Sequence, residues 1–428
     1  MPDIRKRPHV IIIGGGFGGV ASARALRRAD VDVTLIDRTN HFIFQPLLYQ
    51  VATGALAPSD ITAPIRWILR RQKNTQVLMG EVKEIDPERK VVFIDDQRRE
   101  MSYDYLIVAP GARHHYFGHE EWEPYAPGLK AIEDASEIRR RFLLAYENAE
   151  KTSDRREQDE FLTFVIVGGG PTGVELSGAI PYIAKKTLAS EFRTVDTNRT
   201  RVILVEAGPR ILPSFPEDLA RHAAQDLADL GVEVRVNSLV TKVERDGVSI
   251  GDEKIRARNA FWAAGNTASP LGRFLGAPLD NAGRVKVNPD LSVPGHPEVF
   301  AIGDLATYAQ DGRLVPWVCP AANQEGAAAA KSIIRNLRHQ PRKTFHYFNK
   351  GDLATIGRSR AIANFGRLRF AGRLAWFLWL FVHIMYLVGF RNRLVVFIDW
   401  AYAYFTSQVG VRLITDVERY KPPASSTA

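Results

Sequence analysis

Residues 10–37, VIIIGGGFGGVASARALRRADVDVTLID, decide the fold. A short apolar run meets a cluster of glycines, a helical stretch follows, and a second apolar run ends on an acid. Gly14, Gly16 and Gly19 fit the spacing G-x-G-x-x-G. The first glycine permits a sharp turn out of a buried strand. The second lets the backbone approach a pyrophosphate, and the third lets the helix pack closely on the sheet. The helix N-terminus then offers free N–H groups to phosphate. Asp37 closes the second strand, where a carboxylate accepts hydrogen bonds from a ribose hydroxyl. The stretch predicts a strand, turn, helix and strand that hold a dinucleotide.

Working outward, the same pattern returns in FLTFVIVGGGPTGVELSGAI from Phe161, where Gly168, Gly170 and Gly173 repeat the spacing 154 residues later. The strand RVILVEAGPRIL follows, with Glu206 at its end. A polar insertion at 181–200 explains the long interval from Gly173 to Glu206. Glu206 suits a free ribose 2′-OH and repels a 2′-phosphate, which favours NADH over NADPH. A return segment, HPEVFAIGDLATY at 296–308, places Gly303 and Asp304 at a strand end, where Asp304 is expected to hold the ribitol of FAD.

The expected architecture is therefore α/β, with two Rossmann-like dinucleotide-binding domains, the NADH domain inserted in the FAD domain. Residues 1–120 and 276–345 form the FAD domain, 121–275 the NADH domain, and 346–428 a C-terminal membrane-anchoring or dimerisation region. Between the fingerprints, the loop RTNHFIFQPLLYQVATGAL (38–56) is too apolar for a solvated loop, and Gln45, Pro46, Tyr49 and Gln50 are candidate contacts to a flavin ring. The segment 60–73 reads as a helix, and 119–160 as a helix followed by a polar linker. His114 and His115 read as loop residues, with no metal site expected.

Composition bounds the reading. Charged residues make up 25% and hydrophobic residues 45%, a globular balance. Cys319 is the only cysteine, so an intrachain disulfide framework and a redox-active cysteine pair are excluded. It reads as a packing residue. The N-terminal MPDIRKRPHVIII breaks into glycine too early for a signal peptide and reads as a basic leader to the first strand, so no secretion is expected.

The net charge is +9, and its location is informative. Residues 350–400 carry eight Arg or Lys against two Asp, and residues 365–405 hold 13 of the chain's 42 aromatics. LAWFLWLFVHIMYLVGF (374–390) is apolar except for His383, with Arg367, Arg369 and Arg373 before it and Arg391 and Arg393 after it. As a helix it would run about 26 Å, at the short edge for a bilayer span. Aromatic residues with basic flanks suit a helix lying at an anionic lipid surface. Basic residues that flank an apolar face leave no groove for nucleic acid.

With both fingerprints, FQPLLYQVATGAL and GDLATIGRSRAIA…GRLAWFLWLFVHIMYLVGFRNR in view, the chain resembles the type II NADH dehydrogenases, single-subunit NADH:quinone oxidoreductases that do not pump protons. The resemblance implies FAD held through Gly14, Gly16, Gly19, Asp37 and Asp304, and NADH held through Gly168, Gly170, Gly173 and Glu206. It implies a peripheral enzyme on the cytoplasmic face of a bacterial inner membrane, a membrane quinone as acceptor, and possible homodimers. Glu175, in GPTGVELSG, matches a glutamate that the family places near the nicotinamide and quinone sites. The family motif A-Q-x-A-x-Q reads CPAANQ here, so Pro320 replaces the first glutamine and Gln324 keeps the second. Glu175 and Gln324 are the candidate catalytic residues. The rival readings are a related flavoprotein reductase with a protein acceptor and a membrane-bound FAD redox sensor. Disulfide and sulfide:quinone reductases need the cysteine pairs this chain lacks.

Overall fold

The computed structural model describes residues 7–415; the basic leader at 1–6 and the end of the expected tail, 416–428, lie outside the described residues. The chain folds into two compact units. The first comprises the residues up to Ile43, Thr62–Arg113 and Asn266–Lys350. The second comprises Phe44–Ile61, His114–Gly265 and the residues from Gly351 on. The breaks thus fall at 113, 265 and 350, against the 120, 275 and 345 read from sequence, and the aromatic loop 44–61 groups with the second unit.

In the first unit the strand His9–Ile13 lies at the centre of a six-stranded sheet. Asp32–Asp37 and then Thr75–Met79 follow on one side, Tyr105–Val108 and then His296–Ala301 on the other, these five all parallel, and Ser292–Val293 pairs antiparallel with His296–Ala301 at the edge. Such strands are covered on both faces, which is why they read as unbroken apolar runs rather than alternating ones. Ile13 pairs with Ile36 on one side and Val108 on the other, so the glycine turn leaves the sheet where the strand order reverses. Crevices at that point bind ligands in open α/β sheets. The helix Phe17–Ala25 packs on the helix Cys319–Leu337 so closely that a methyl on Gly326 would lie 2.2 Å from the Gly18 carbonyl oxygen. The Ser22 hydroxyl bridges the Gly18 and Gly326 carbonyls at 2.9 and 3.0 Å.

The second unit repeats the plan. Thr163–Val167 sits between Arg201–Val205 and Asn259–Trp262, with Val232–Arg235 beyond, again all parallel. Its C-terminal part adds a three-stranded antiparallel sheet, Asp352–Gly357, Arg360–Phe365 and Leu368–Ala371, and two helices, Gly372–Tyr386 and Phe390–Thr406.

Three local readings are corrected. The segment 60–73 is a short strand, Thr62–Pro64, and a five-residue helix, Ile65–Leu69, because Thr62–Pro64 pairs with His41–Ile43. The polar linker is helical on both sides of a short break: Ile132–Lys151 is one helix, and Asp154 caps a second, Arg155–Phe161, by accepting the Arg156 N–H at 2.9 Å. The apolar run 374–390 is not one helix to its end, since Leu387 turns to extended backbone and Gly389 has φ +89°.

Helix Gly372–Tyr386 is two-faced by burial rather than by polarity. Ala375, Trp379 and His383, spaced one turn apart, are buried, whereas Leu374, Phe377, Phe381 and Met385 are exposed. The His383 ring stacks on Trp379 at 4.2 Å, and its Nδ1 lies 2.7 Å from the Trp379 carbonyl. Burial pulls its pKa down to about 4, so the ring is neutral at pH 7. Among the described residues no helix is long and apolar enough to cross a membrane.

Candidate functional site

The two fingerprints fold into the same geometry. In the first unit Gly14 has φ +97°, and its N–H donates to the Ile36 carbonyl at 2.8 Å. A methyl there would lie 2.1 Å from the Ala109 carbonyl oxygen, so only glycine fits. Gly19 would bring a methyl to 1.8 Å of the Gly14 carbonyl oxygen. Gly16, at the N-cap of the helix, faces open space on the side where a Cβ would stand. In the second unit Gly168 has φ +110°, a methyl on Gly173 would lie 1.9 Å from the Gly168 carbonyl oxygen, and Gly170 again faces open space. Each turn therefore provides a tight exit, a close helix contact and an open cradle at a helix N-terminus.

The acids are equally matched. Asp37 Oδ2 accepts the Gly15 N–H at 2.6 Å, and Oδ1 accepts the N–H and hydroxyl of Thr39 at 2.7 and 2.8 Å. Glu206 Oε2 accepts the Gly169 N–H and Oε1 the Gly208 N–H, both at 2.6 Å. A carboxylate so held is fixed in direction and keeps lone pairs for a ribose diol. The donor sets and the open positions at Gly16 and Gly170 fit a dinucleotide in each unit.

Gly303, φ +64°, and Asp304 form the turn after the strand His296–Ala301. They line a small cleft with Trp317, Val318, Ala322 and Glu325. Glu325 was missed in the sequence, although an acid at a buried position of an alanine-rich helix is a readable signal. The Gly303 N–H donates to its Oε2 at 2.5 Å. Burial pushes the Glu325 carboxyl up to about 7, with the Gly303 N–H opposing the rise and the Asp304 charge adding to it.

Gln324 has its amide engaged. Its Nε2 donates to the Phe348 carbonyl at 2.9 Å and to the Pro320 carbonyl at 3.2 Å, and its Oε1 accepts the Phe348 N–H at 2.9 Å. In this state it holds the chain at Phe348.

In the second unit Gln45 is exposed, its Nε2 donating to the Lys130 carbonyl at 3.3 Å, and Pro46 is half-buried in a single 3₁₀ turn. Tyr49 and Gln50 are buried on the helix Leu48–Ala52. Gln50 Nε2 donates to the Tyr49 hydroxyl at 2.8 Å, while its Oε1 accepts the indole N–H of Trp400 at 2.7 Å. Glu175 lies in the helix Pro171–Tyr182. Desolvation drives its carboxyl well above the ordinary carboxylate range, against a backbone hydrogen bond from Thr355. Burial, and then the nearby Glu175 charge, hold the Tyr49 phenol well above its usual value. Gly178, one turn below Glu175, lets the helix touch the strand Asp352–Gly357: a methyl there would stand 1.6 Å from the Ile356 carbonyl oxygen.

His114 ends a short strand, Ala112–His114, rather than lying in a loop, and its Nε2 lies 3.1 Å from Asp134 Oδ2. That partner is twenty residues away in sequence.

With this geometry in hand, comparison with known proteins gives a consistent answer. The model of the pyridine nucleotide-disulphide oxidoreductase family matches residues 8–326, and that of the NDH2 C-terminal domain matches residues 349–408. The chain is 46% identical over 426 residues to the type II NADH:quinone oxidoreductase NdhA of Mycobacterium tuberculosis, covering 96% of this chain and 90% of the relative. It is 42% identical to Ndh of the same organism, covering 97% and 92%. Its fold matches the solved structure of NDH2 from Plasmodium falciparum in complex with NADH, with TM-score 0.86 at 23% identity, covering 94% of this chain and 99% of that one.

Proposed function

We propose, from the premise that this chain belongs to the type II NADH:quinone oxidoreductase family, that it binds FAD, oxidises NADH and reduces a membrane quinone without pumping protons. The observation that carries this reading is the paired dinucleotide cradle, an open glycine at a helix N-terminus beside an anchored acid, built twice in one chain. The first cradle is assigned to FAD, with Asp37 on the ribose and the Gly303–Asp304 turn on the ribitol. The second is assigned to NADH, with Glu206 on the adenosine ribose.

FAD supplies the redox chemistry, since it accepts a hydride and gives up two electrons. The chain's residues bind, orient and handle protons. The Gly14–Gly19 and Gly168–Gly173 turns place N–H donors for phosphate. Glu206 rejects a 2′-phosphate by charge. Glu175, whose carboxyl desolvation drives well above the ordinary carboxylate range, is assigned to carry a proton for the quinone. Gln324 acts by fixing residue 348 beside its helix.

The exposed Phe377, Phe381, Phe390, Phe397, Ile398 and Phe405 on the two C-terminal helices are assigned to the interface of an anionic membrane. Peripheral attachment to the cytoplasmic face of a bacterial inner membrane is part of the proposal, with homodimers as a further expectation.

The test is anaerobic. NADH is expected to bleach the flavin bands of the purified protein, and a short-chain quinone to restore them. Bleaching without recovery would move the acceptor away from quinone.

A further inference from the structure

The buried chain from Trp400 through Gln50 to Tyr49 has a direction, and the direction has a consequence. Trp400 belongs to the C-terminal helix Phe390–Thr406, Gln50 and Tyr49 to the helix Leu48–Ala52, and the links measure 2.7 and 2.8 Å. Tyr49 and Gln50 are 7% and 8% exposed, so water does not compete for these bonds. An indole N–H is a donor only, and a carboxamide has one accepting and one donating end. Facing the indole, Gln50 must present its oxygen to Trp400 and its NH₂ to Tyr49. The Tyr49 oxygen is then an acceptor in that bond, and its single proton is left for another partner.

We infer that the Trp400 indole N–H, by locking the Gln50 amide, directs the Tyr49 hydroxyl proton towards Glu175, so that Trp400 and Gln50 are positioning residues for proton delivery to the quinone. This rests on the functional reading above. When the electron pair from NADH reaches the quinone, the Glu175 O–H bond breaks and its proton bonds to one quinone oxygen, while the second oxygen takes its proton from solvent. The carboxylate left behind accepts the Thr355 N–H and the Tyr49 O–H, and a proton from water restores the acid. Tyr49 itself stays neutral throughout. It acts as Thr355 does, as a donor that stabilises the anion and strengthens the acid.

Charged groups approach the helix Leu48–Ala52 from elements packed on it. Glu175 comes from the helix Pro171–Tyr182, and Arg139 from Ile132–Lys151 lies near Gly54. Asp399, beside Trp400 in sequence, interacts with Asp60.

The experiment uses the full-length flavoprotein in lipid, with Trp400→Phe, Gln50→Leu and the double variant. In Trp400→Phe the Gln50 amide is free to turn and capture the Tyr49 proton. The expected result is about a tenfold fall in quinone-limited kcat and an alkaline limb of the pH profile moved up by about one unit. The rate of flavin bleaching by NADH should not change. In the Gln50→Leu background there is no amide to turn, so adding Trp400→Phe should cost nothing further. The infrared band of the protonated carboxyl, assigned by its loss in Glu175→Gln, should titrate at higher pH in Trp400→Phe than in the unmodified protein. Equal costs of Trp400→Phe in both backgrounds, or an unmoved carboxyl titration, would overturn the inference. Failure of NADH to bleach the unmodified flavoprotein would instead defeat the underlying functional reading.

Discussion

Replacing Gly178 by alanine places a methyl carbon 1.6 Å from the Ile356 carbonyl oxygen, where ordinary contact begins at 3.4 Å. The obstacle is backbone on both sides, so no rotamer change relieves it. The helix Pro171–Tyr182 and the strand Asp352–Gly357 must separate by nearly the whole deficit. Thr355, which precedes Ile356 and is buried, would then withdraw its hydrogen bond from Glu175. Overpacking costs about 1–3 kcal/mol, and losing a hydrogen bond to a carboxyl in a desolvated place adds roughly 1.5–3 kcal/mol. A total of about 2.5–6 kcal/mol corresponds to a melting temperature lower by roughly 5–24 °C. Release of bound flavin on heating would report it. Gly410→Ala, whose added methyl meets nothing within 4 Å, is the matched control and should melt with the unmodified protein. Gly178→Ala melting within a degree or two of that control would refute the packing argument. The same variant, assayed below its melting point, should show a raised quinone KM and an unchanged NADH KM.

Other predictions follow from single groups. Glu206→Gln leaves one of two backbone donors facing an NH₂ group and removes the charge that repels a 2′-phosphate, so the NADH-over-NADPH preference in kcat/KM should fall about 10- to 100-fold. Glu325 has a folded pKa of about 7, above its value in the unfolded chain, so the stability linked to it is complete below about pH 4.5 and is lost as pH rises through 7. Glu325→Gln should therefore match the unmodified protein in denaturant titrations at pH 4.5 and exceed it by up to about 3 kcal/mol at pH 8; a constant difference across that range would refute the assignment. Phe381→Glu with Phe397→Glu removes two exposed rings from the proposed lipid face, each worth about 1.5–3 kcal/mol when buried, so binding to anionic vesicles should fall at least about tenfold while turnover with a water-soluble quinone persists.

What could be read from the sequence was what is local. Each glycine turn and its acid belong to one strand–helix–strand unit, and Gly14 takes the positive φ and Gly19 the close helix contact that their spacing implied. The same holds for Gly168 and Gly173. Glu206 could be placed because it directly follows an apolar strand, despite the long insertion before it. What could not be read depends on partners distant in the chain. Gln50 meets Trp400 across 350 residues, and Gln324 meets the backbone of Phe348. No local pattern distinguishes an amide that faces a ligand from one that holds a neighbouring segment. The two-faced character of Gly372–Tyr386 was hidden for a related reason. Both faces are apolar, so hydropathy saw one stripe where packing makes a buried line of Ala375, Trp379 and His383 and an exposed line of Leu374, Phe377 and Phe381.

The central claim, that two dinucleotide cradles pass electrons from NADH to a quinone, is tested most directly by the flavin spectrum of the full chain under anaerobic conditions. The account predicts that stoichiometric NADH bleaches the visible flavin bands and that a short-chain quinone restores them, with NADPH far slower than NADH. A protein from which no flavin can be recovered or reconstituted would contradict it, as would a flavin that NADH leaves oxidised.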